Sequence, residues 1–175
     1  YDFVTSVFTA NDGNGRDDNA TDPGDSTAAN ECSPDEPASP SSWHGTHVMG
    51  TIGASSNNAT GVTGIDWNAK LLPVRVLGKC GGSTSDIIDG IYWAAGLPVS
   101  GVPTNNNPAK VINMSLGGEG ACSSVEQDAI DAAVAAGSTI VVAAGNETVD
   151  VSRSSPAIFN NVIAVATTDW NGQIG

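Results

Sequence analysis

His44 and His47 stand three residues apart in Ser-Ser-Trp-His-Gly-Thr-His-Val-Met-Gly-Thr, residues 41–51. An imidazole changes charge near neutral pH, so it can take a proton from a nucleophile and later return it. The small residues around His44 leave room for its ring to face a cleft. Taken alone, a histidine is more often a satisfied structural group, and two histidines one helical turn apart could hold a metal. No third ligand stands at a spacing like that of H-E-x-x-H, which disfavours the metal. A second polar group, Asn146, follows an apolar run in Val-Val-Ala-Ala-Gly-Asn, residues 141–146. A fixed neutral amide at a strand end can stabilise negative charge developing on a carbonyl oxygen.

Positioning such groups takes ordered elements, and these begin at Trp43. A small-residue helix is predicted over 44–54, a loop over 55–64 and a strand over 70–77. Ile87, Ile88, Ile91 and Tyr92 recur at helical spacing within 85–96. A short β-branched run covers 110–115. Val125, Ile130, Val134 and neighbouring alanines mark a helix over 122–137, and apolar strands are predicted over 139–144 and 161–166. Continuous apolar strands separated by helices predict an α/β fold, a parallel β-sheet with helices on both faces. Ligands of such a sheet bind outside the carboxyl ends of its strands. Three glycine-rich segments qualify: residues 78–82, 115–118 and 145–146. Ahead of Trp43 lie a strand-like run over 1–8 and an acidic stretch over 11–40, rich in Asn, Asp, Gly and Pro, whose composition predicts irregular surface without a core.

The bulk numbers narrow the partners. At 175 residues the chain is one domain by length, and 39% hydrophobic residues supply a core. Six lysines and arginines against 19 acidic residues give a net charge of −13. Phosphate binding needs clustered cations, so nucleic acid is excluded as a partner, and an anionic membrane surface on the same ground. No apolar run reaches the roughly 18–20 residues of a spanning helix, and no basic-then-apolar leader opens the chain, which predicts a soluble chain past any signal peptide. No heptad or long exposed apolar strand suggests self-association, so a monomer is expected.

Three motifs occur in a fixed order: His-Gly-Thr-His-Val-Met-Gly-Thr at 44–51, Val-Ile-Asn-Met-Ser-Leu-Gly-Gly at 111–118, and Val-Val-Ala-Ala-Gly-Asn at 141–146. Together they resemble the subtilisin family of serine endopeptidases, over about residues 43–169, and most nearly its secreted bacterial, calcium-dependent members with an acidic loop before the histidine segment. The resemblance implies a subtilisin-like three-layer architecture and hydrolysis of extended protein or peptide substrates by an Asp-His-Ser triad. His44 matches the triad histidine, His47 the motif's structural histidine, and Asn146 the oxyanion donor. Ser115, Leu116 and Gly117 match the segment that pairs with substrate backbone beside the specificity pocket, and Gly81 and Gly82 would line the opposite side of the cleft.

The family's triad runs Asp, His, Ser, and no Gly-Thr-Ser-Met-Ala-like nucleophile turn or Asp-Thr-Gly strand is found in this sequence. Asp2, Asp17, Asp22 and Asp25 have the wrong surroundings to stand in for the aspartate. The expectation is therefore the central part of a single peptidase domain, with 1–42 an acidic surface region and 43–175 an α/β core, inactive by itself. The alternatives are a pseudoenzyme and a calcium-dependent extracellular peptide-binding module.

Two further expectations concern staples. Cys80 and Cys122 each lie a few residues beyond strand ends that should be neighbours, which predicts a disulfide between them and leaves Cys32 without a partner. The acidic run 11–25 places oxygens and glycines at short intervals, as a hard cation requires. With the family's use of calcium, this predicts a structural calcium site with Asp12, Asn14, Asp17 and Asp25 as ligands and the Arg16 carbonyl as a backbone ligand.

Overall fold

The computed structural model describes residues 1–120 and 123–173, which fall into two compact units, Tyr1–Gly90 and Ile91–Gly175.

The first unit opens with extended backbone and no long strand. Phe3 N donates to Arg75 O at 2.8 Å and Arg75 N donates to Tyr1 O at 2.9 Å, while Asp2 and Asp17 exchange a second pair of bonds at 3.0 and 3.2 Å. These are isolated bridges, so the strand expected over 70–77 reduces to one bridging residue. The extended run ends before the short helix α1 (Val7–Ala10), where Ser6 Oγ accepts from Thr9 N and left-handed Asn11 closes the turn. A hydroxyl N-cap and an αL residue after so few residues stop both strand and helix.

The acidic stretch 11–40 is mostly exposed, as its composition predicts, with Gly24 its one buried residue, whereas the run ahead of it packs. Phe3, Val4 and Ala10 are fully buried. Two arginines make that possible by taking up the acidic charge. Arg75, itself buried, pairs with the Asp2 carboxylate, reaches Asp12 Oδ2 at 3.3 Å and donates to Ala10 O at 2.5 Å. Arg16 pairs with Asp86 and Asp89, each at 2.6 Å, donates from Nε to Phe3 O at 2.9 Å and lies 5.6 Å over the Phe3 ring. Asp86 also accepts from Thr5 N at 3.1 Å and Thr5 Oγ1 at 2.7 Å. Removing apolar surface from water requires that neighbouring charges keep partners, and here each carboxylate finds its partner far along the chain.

The cysteine expectation is corrected. Cys80 is bonded to Cys32, with Cα atoms 5.4 Å apart and a sequence separation of 48. Cys122 lies outside the described residues. The partner of Cys80 comes not from a neighbouring strand-end loop but from the acidic segment, which folds back onto Lys79 and Cys80: Lys79 Nζ meets Glu31 Oε1 at 2.9 Å. Two more helices follow, α2 (His44–Gly53) and α3 (Thr84–Ala94), close to their expected bounds.

The second unit contains β1 (Val111–Met114), β2 (Gly118–Glu119), α4 (Ser124–Ala135), β3 (Thr139–Ala143), β4 (Ser154–Ser155) and β5 (Val162–Val165). The order β1-β3-β5 is parallel throughout, with Ile112 opposite Ile140 and Ile140 opposite Val162. Strand alternation sends Ile112, Met114, Ile140 and Val142 to a buried face, against which α4 sets Ala129, Ile130 and Ala133. The opposite face shows Val111, Ile163 and Val165, each more than half exposed. In this unit α4 covers the buried face, and the connection from β3 to β5 contains a 3-10 turn and β4. β2 and β4 pair antiparallel, Gly118 with Ser155 and Glu119 with Ser154.

Candidate active site

Parallel neighbours end at one edge of a sheet, so the segments after β1 and β3 must meet there. They do: Ser115, Leu116 and Gly117 from one, and Ala143, Gly145, Asn146 and Glu147 from the other, line a single pocket of about 230 Å³. Gly117 is required by close approach, since a Cβ would stand 2.6 Å from Ser155 O. Gly145, at φ +103, adopts a backbone that a side chain resists. Its turn presents Asn146 to solvent. The Asn146 N–H donates to Glu147 Oε2 at 2.8 Å, which fixes the main chain on which its amide is carried. Glu147 was not singled out by the sequence, because nothing in its type or spacing marks a carboxylate that braces its neighbour.

In the first unit His44 is the first residue of α2 and is exposed, as is His47. No side chain of Trp43 caps the helix, and Trp43 itself is left-handed at φ 52. The His44 N–H instead donates to Ser42 Oγ at 3.3 Å. No residue of α2 is buried. Its far end is gripped by backbone: Ile65 N donates to Thr51 O at 3.1 Å, Asp66 N to Ile52 O at 2.9 Å and Gly64 N to Ala54 O at 3.0 Å. Gly81 and Gly82 follow the disulfide, both exposed. Gly78 and Gly81 exchange backbone bonds of 2.8 and 3.1 Å around a turn with Cys80 left-handed at φ 64. Gly82 can only be glycine without rearrangement, since a Cβ would meet Val76 O at 2.3 Å.

Of the four side chains read as calcium ligands, Asp12, Asn14 and Asp17 adjoin one another and Asp25 is engaged with Ser42. Asp12 is engaged with Asn14 N at 3.2 Å and with Arg75. Asp17 accepts from Asn19 N at 2.9 Å and from the Asn14 amide nitrogen at 2.8 Å. Asp25 accepts from Ser42 N and Ser42 Oγ. Among the described residues no group of three or more His, Cys, Asp or Glu side chains is arranged to hold a metal, so this set does not fit the ion. The intervals predicted turns correctly, but their carboxylates cap the loop's own N–H groups. Burial works against the charge of Asp25, yet the two Ser42 hydrogen bonds outweigh it and hold the carboxyl below its ordinary range. Asp2 shows the opposite balance: desolvation prevails over its bonds from Val4 N and Arg75, and its carboxyl is raised.

The Subtilase family profile matches residues 8–175. An "Extracellular protease" of Xanthomonas campestris pv. campestris is 62% identical over 172 residues, covering 98% of this chain and 30% of that protein. An "Extracellular basic protease" of Dichelobacter nodosus is 50% identical, covering 99% of this chain and 29% of that protein. A protease structure from Pseudoalteromonas arctica superposes with a TM-score of 0.93 at 56% identity, over 96% of this chain and 49% of the other. The chain thus spans about 30% of the length of these two curated relatives.

Proposed function

Because the chain belongs to the subtilase family, we propose that the protein carrying it is a secreted serine endopeptidase in which His44 is the general base and Asn146 the oxyanion donor. The observation that carries this reading is the convergence of Ser115, Leu116, Gly117 and Asn146 on one pocket beyond β1 and β3. An extended peptide can add alongside a strand-end segment through main-chain hydrogen bonds, which brings a scissile carbonyl toward Asn146. The Asn146 amide then donates to the oxygen as it gains charge, and His44, exposed at its helix start, has room to accept the nucleophile's proton and pass it to the leaving amine. The nucleophilic serine and the orienting aspartate are not assigned to residues of this sequence. Two relatives named extracellular and a disulfide, a bond that persists in oxidising compartments, support secretion.

The family profile runs across both units, which supports reading 1–175 as part of a single peptidase domain. In this proposal the partners are protein or peptide substrates, with no nucleic acid and no membrane, and the protein is a monomer. Calcium is a structural ion of subtilases generally; the proposal extends it to this protein without the four-residue set rejected above. In the full-length protein, His44→Ala abolishes hydrolysis of an unfolded protein substrate, and Asn146→Ala lowers kcat with KM little changed. Oxyanion donors of this kind are worth about 2.7–4 kcal/mol, a range whose source is itself an asparagine of a subtilisin. Near-normal turnover by folded His44→Ala protein would remove the reading.

A further inference from the structure

Three consecutive residues ahead of His44 each lie beside one of three consecutive residues of the acidic segment, in antiparallel order. Gly24 lies against Trp43: a Cβ there would stand 3.3 Å from Trp43 Cη2 and 2.5 Å from Ser41 Oγ. The Asp25 carboxylate accepts from Ser42 N at 2.6 Å and from Ser42 Oγ at 2.7 Å. Ser26 N donates to Ser41 Oγ at 3.1 Å. The pairing continues as a bridge in which Thr27 and Ser39 exchange backbone bonds of 2.9 and 3.0 Å. Both ends of this clamp are themselves fixed. Asn11 Nδ2 donates to Gly24 O at 2.9 Å and Gly24 N donates to Asp22 Oδ1 at 2.8 Å, while Cys32 and Glu31 tie the loop to Cys80 and Lys79.

The clamp meets α2 at a start where the Trp43 side chain makes no capping hydrogen bond. The helix buries no residue, so packing does not set where its first turn points. Trp43 occupies a conformation that non-glycine residues adopt only when their surroundings enforce it. Ser42 Oγ can accept the His44 N–H with a lone pair free because its own proton is directed to Asp25. One carboxylate thus orients a hydroxyl, and that hydroxyl holds the backbone from which the imidazole projects.

We propose that Asp25 is a positioning residue for His44, acting through Ser42 and the left-handed Trp43. This rests on His44 being the general base, and it gives Asp25 a role in place of the metal ligation read from the sequence. A misplacement of about 1 Å can cost about a hundredfold in rate, and a group that acts only on placement changes kcat and leaves KM alone.

The test is steady-state hydrolysis of a chromogenic peptide by the full-length protein, alongside thermal unfolding, for Asp25→Ala, Asp25→Asn, Ser42→Ala, the Asp25→Ala/Ser42→Ala pair and His44→Ala. Asp25→Ala should lower kcat about 10- to 100-fold with KM within about twofold and an unfolding temperature within a few degrees. Asp25→Asn keeps an oxygen for the Ser42 N–H but turns an NH2 toward Ser42 Oγ, so it should recover only part of the loss. The double variant should be no slower than either single one, because both act along one path. Wild-type kcat in Asp25→Ala, with His44→Ala inactive, overturns the proposal and leaves the endopeptidase reading standing; hydrolysis that survives His44→Ala overturns that reading instead. A kcat loss that tracks the unfolding temperature and is in no part recovered by Asn also overturns it. If Asp25→Ala does not fold, Ser42→Ala decides: a matching fall in kcat supports the proposal and an unchanged kcat refutes it.

Discussion

Helices α2 and α4 have 10 and 12 residues and are both rich in small side chains, yet they are fixed in opposite ways. α4 sets Ala129, Ile130 and Ala133 into a buried face of the sheet, where position follows from removing apolar surface from water. α2 has no fully buried residue and is held at its two ends, by Ser42 at the start and by the backbone of residues 64–66 at the finish. α2 stays at least partly accessible along its length, and hydrogen bonds and a covalent tether in the surrounding loops supplement what packing does for α4. Stability and placement are therefore separable in this molecule.

The sharpest way to break that contrast is to remove the tether. Replacing Cys32 and Cys80 by serine should destabilise the 1–90 unit by about 4 kcal/mol in the chain-entropy account of a 48-residue separation, read from denaturant midpoints with and without reductant. An unchanged midpoint would mean that the arginine pairs alone hold this unit. Next comes a paired truncation. Ile130→Ala, at a site 1% exposed, should cost about 2–5 kcal/mol, and Ile52→Ala in α2, which is only partly covered, about 1 kcal/mol or less. Equal costs would erase the distinction between the helices.

Asp86 supplies a third test. Burial disfavours its charge, but hydrogen bonds from Arg16, Thr5 and Ser83 prevail and hold its carboxyl below the ordinary range. A depressed carboxylate contributes stability that is complete above its unfolded value, about 3.9, and is lost as pH falls through the lower folded value. Asp86→Ala should cost about 1–3 kcal/mol near neutral pH, and the gap to the unsubstituted chain should close as the pH falls below about 4. A gap independent of pH would locate the loss in packing. The smallest effect belongs to Val125→Ala on the outward face of α4, 59% exposed, which should stay within about 0.5 kcal/mol of zero.

What was legible in the sequence was local. The helices at 44, 84 and 124 and the strands at 111, 139 and 162 follow from periodicity and apolar runs that tertiary contacts reinforce, and parallel pairing then brings Ser115 and Asn146 to one edge. What was not legible depends on partners far away in the chain. Phe3 and Val4 are buried because Arg16 and Arg75 neutralise carboxylates on several separate segments. The run 1–8 breaks at Ser6 because one hydroxyl caps a helical turn. Cys80 finds Cys32 and not Cys122 because the acidic segment folds back on Lys79, and Asp25 faces Ser42 because the loop is clasped into antiparallel order. No spacing rule contains these meetings.

Under the proposed endopeptidase function the protein meets its own copies, and residues 57–63, which follow α2, are exposed. A cut there would fall inside the segment closed by Cys32 and Cys80. Both pieces would stay covalently joined, so a self-nicked molecule would migrate as one band without reductant and separate into two with it, and the histidine helix would remain attached to the glycine turn it accompanies in the chain.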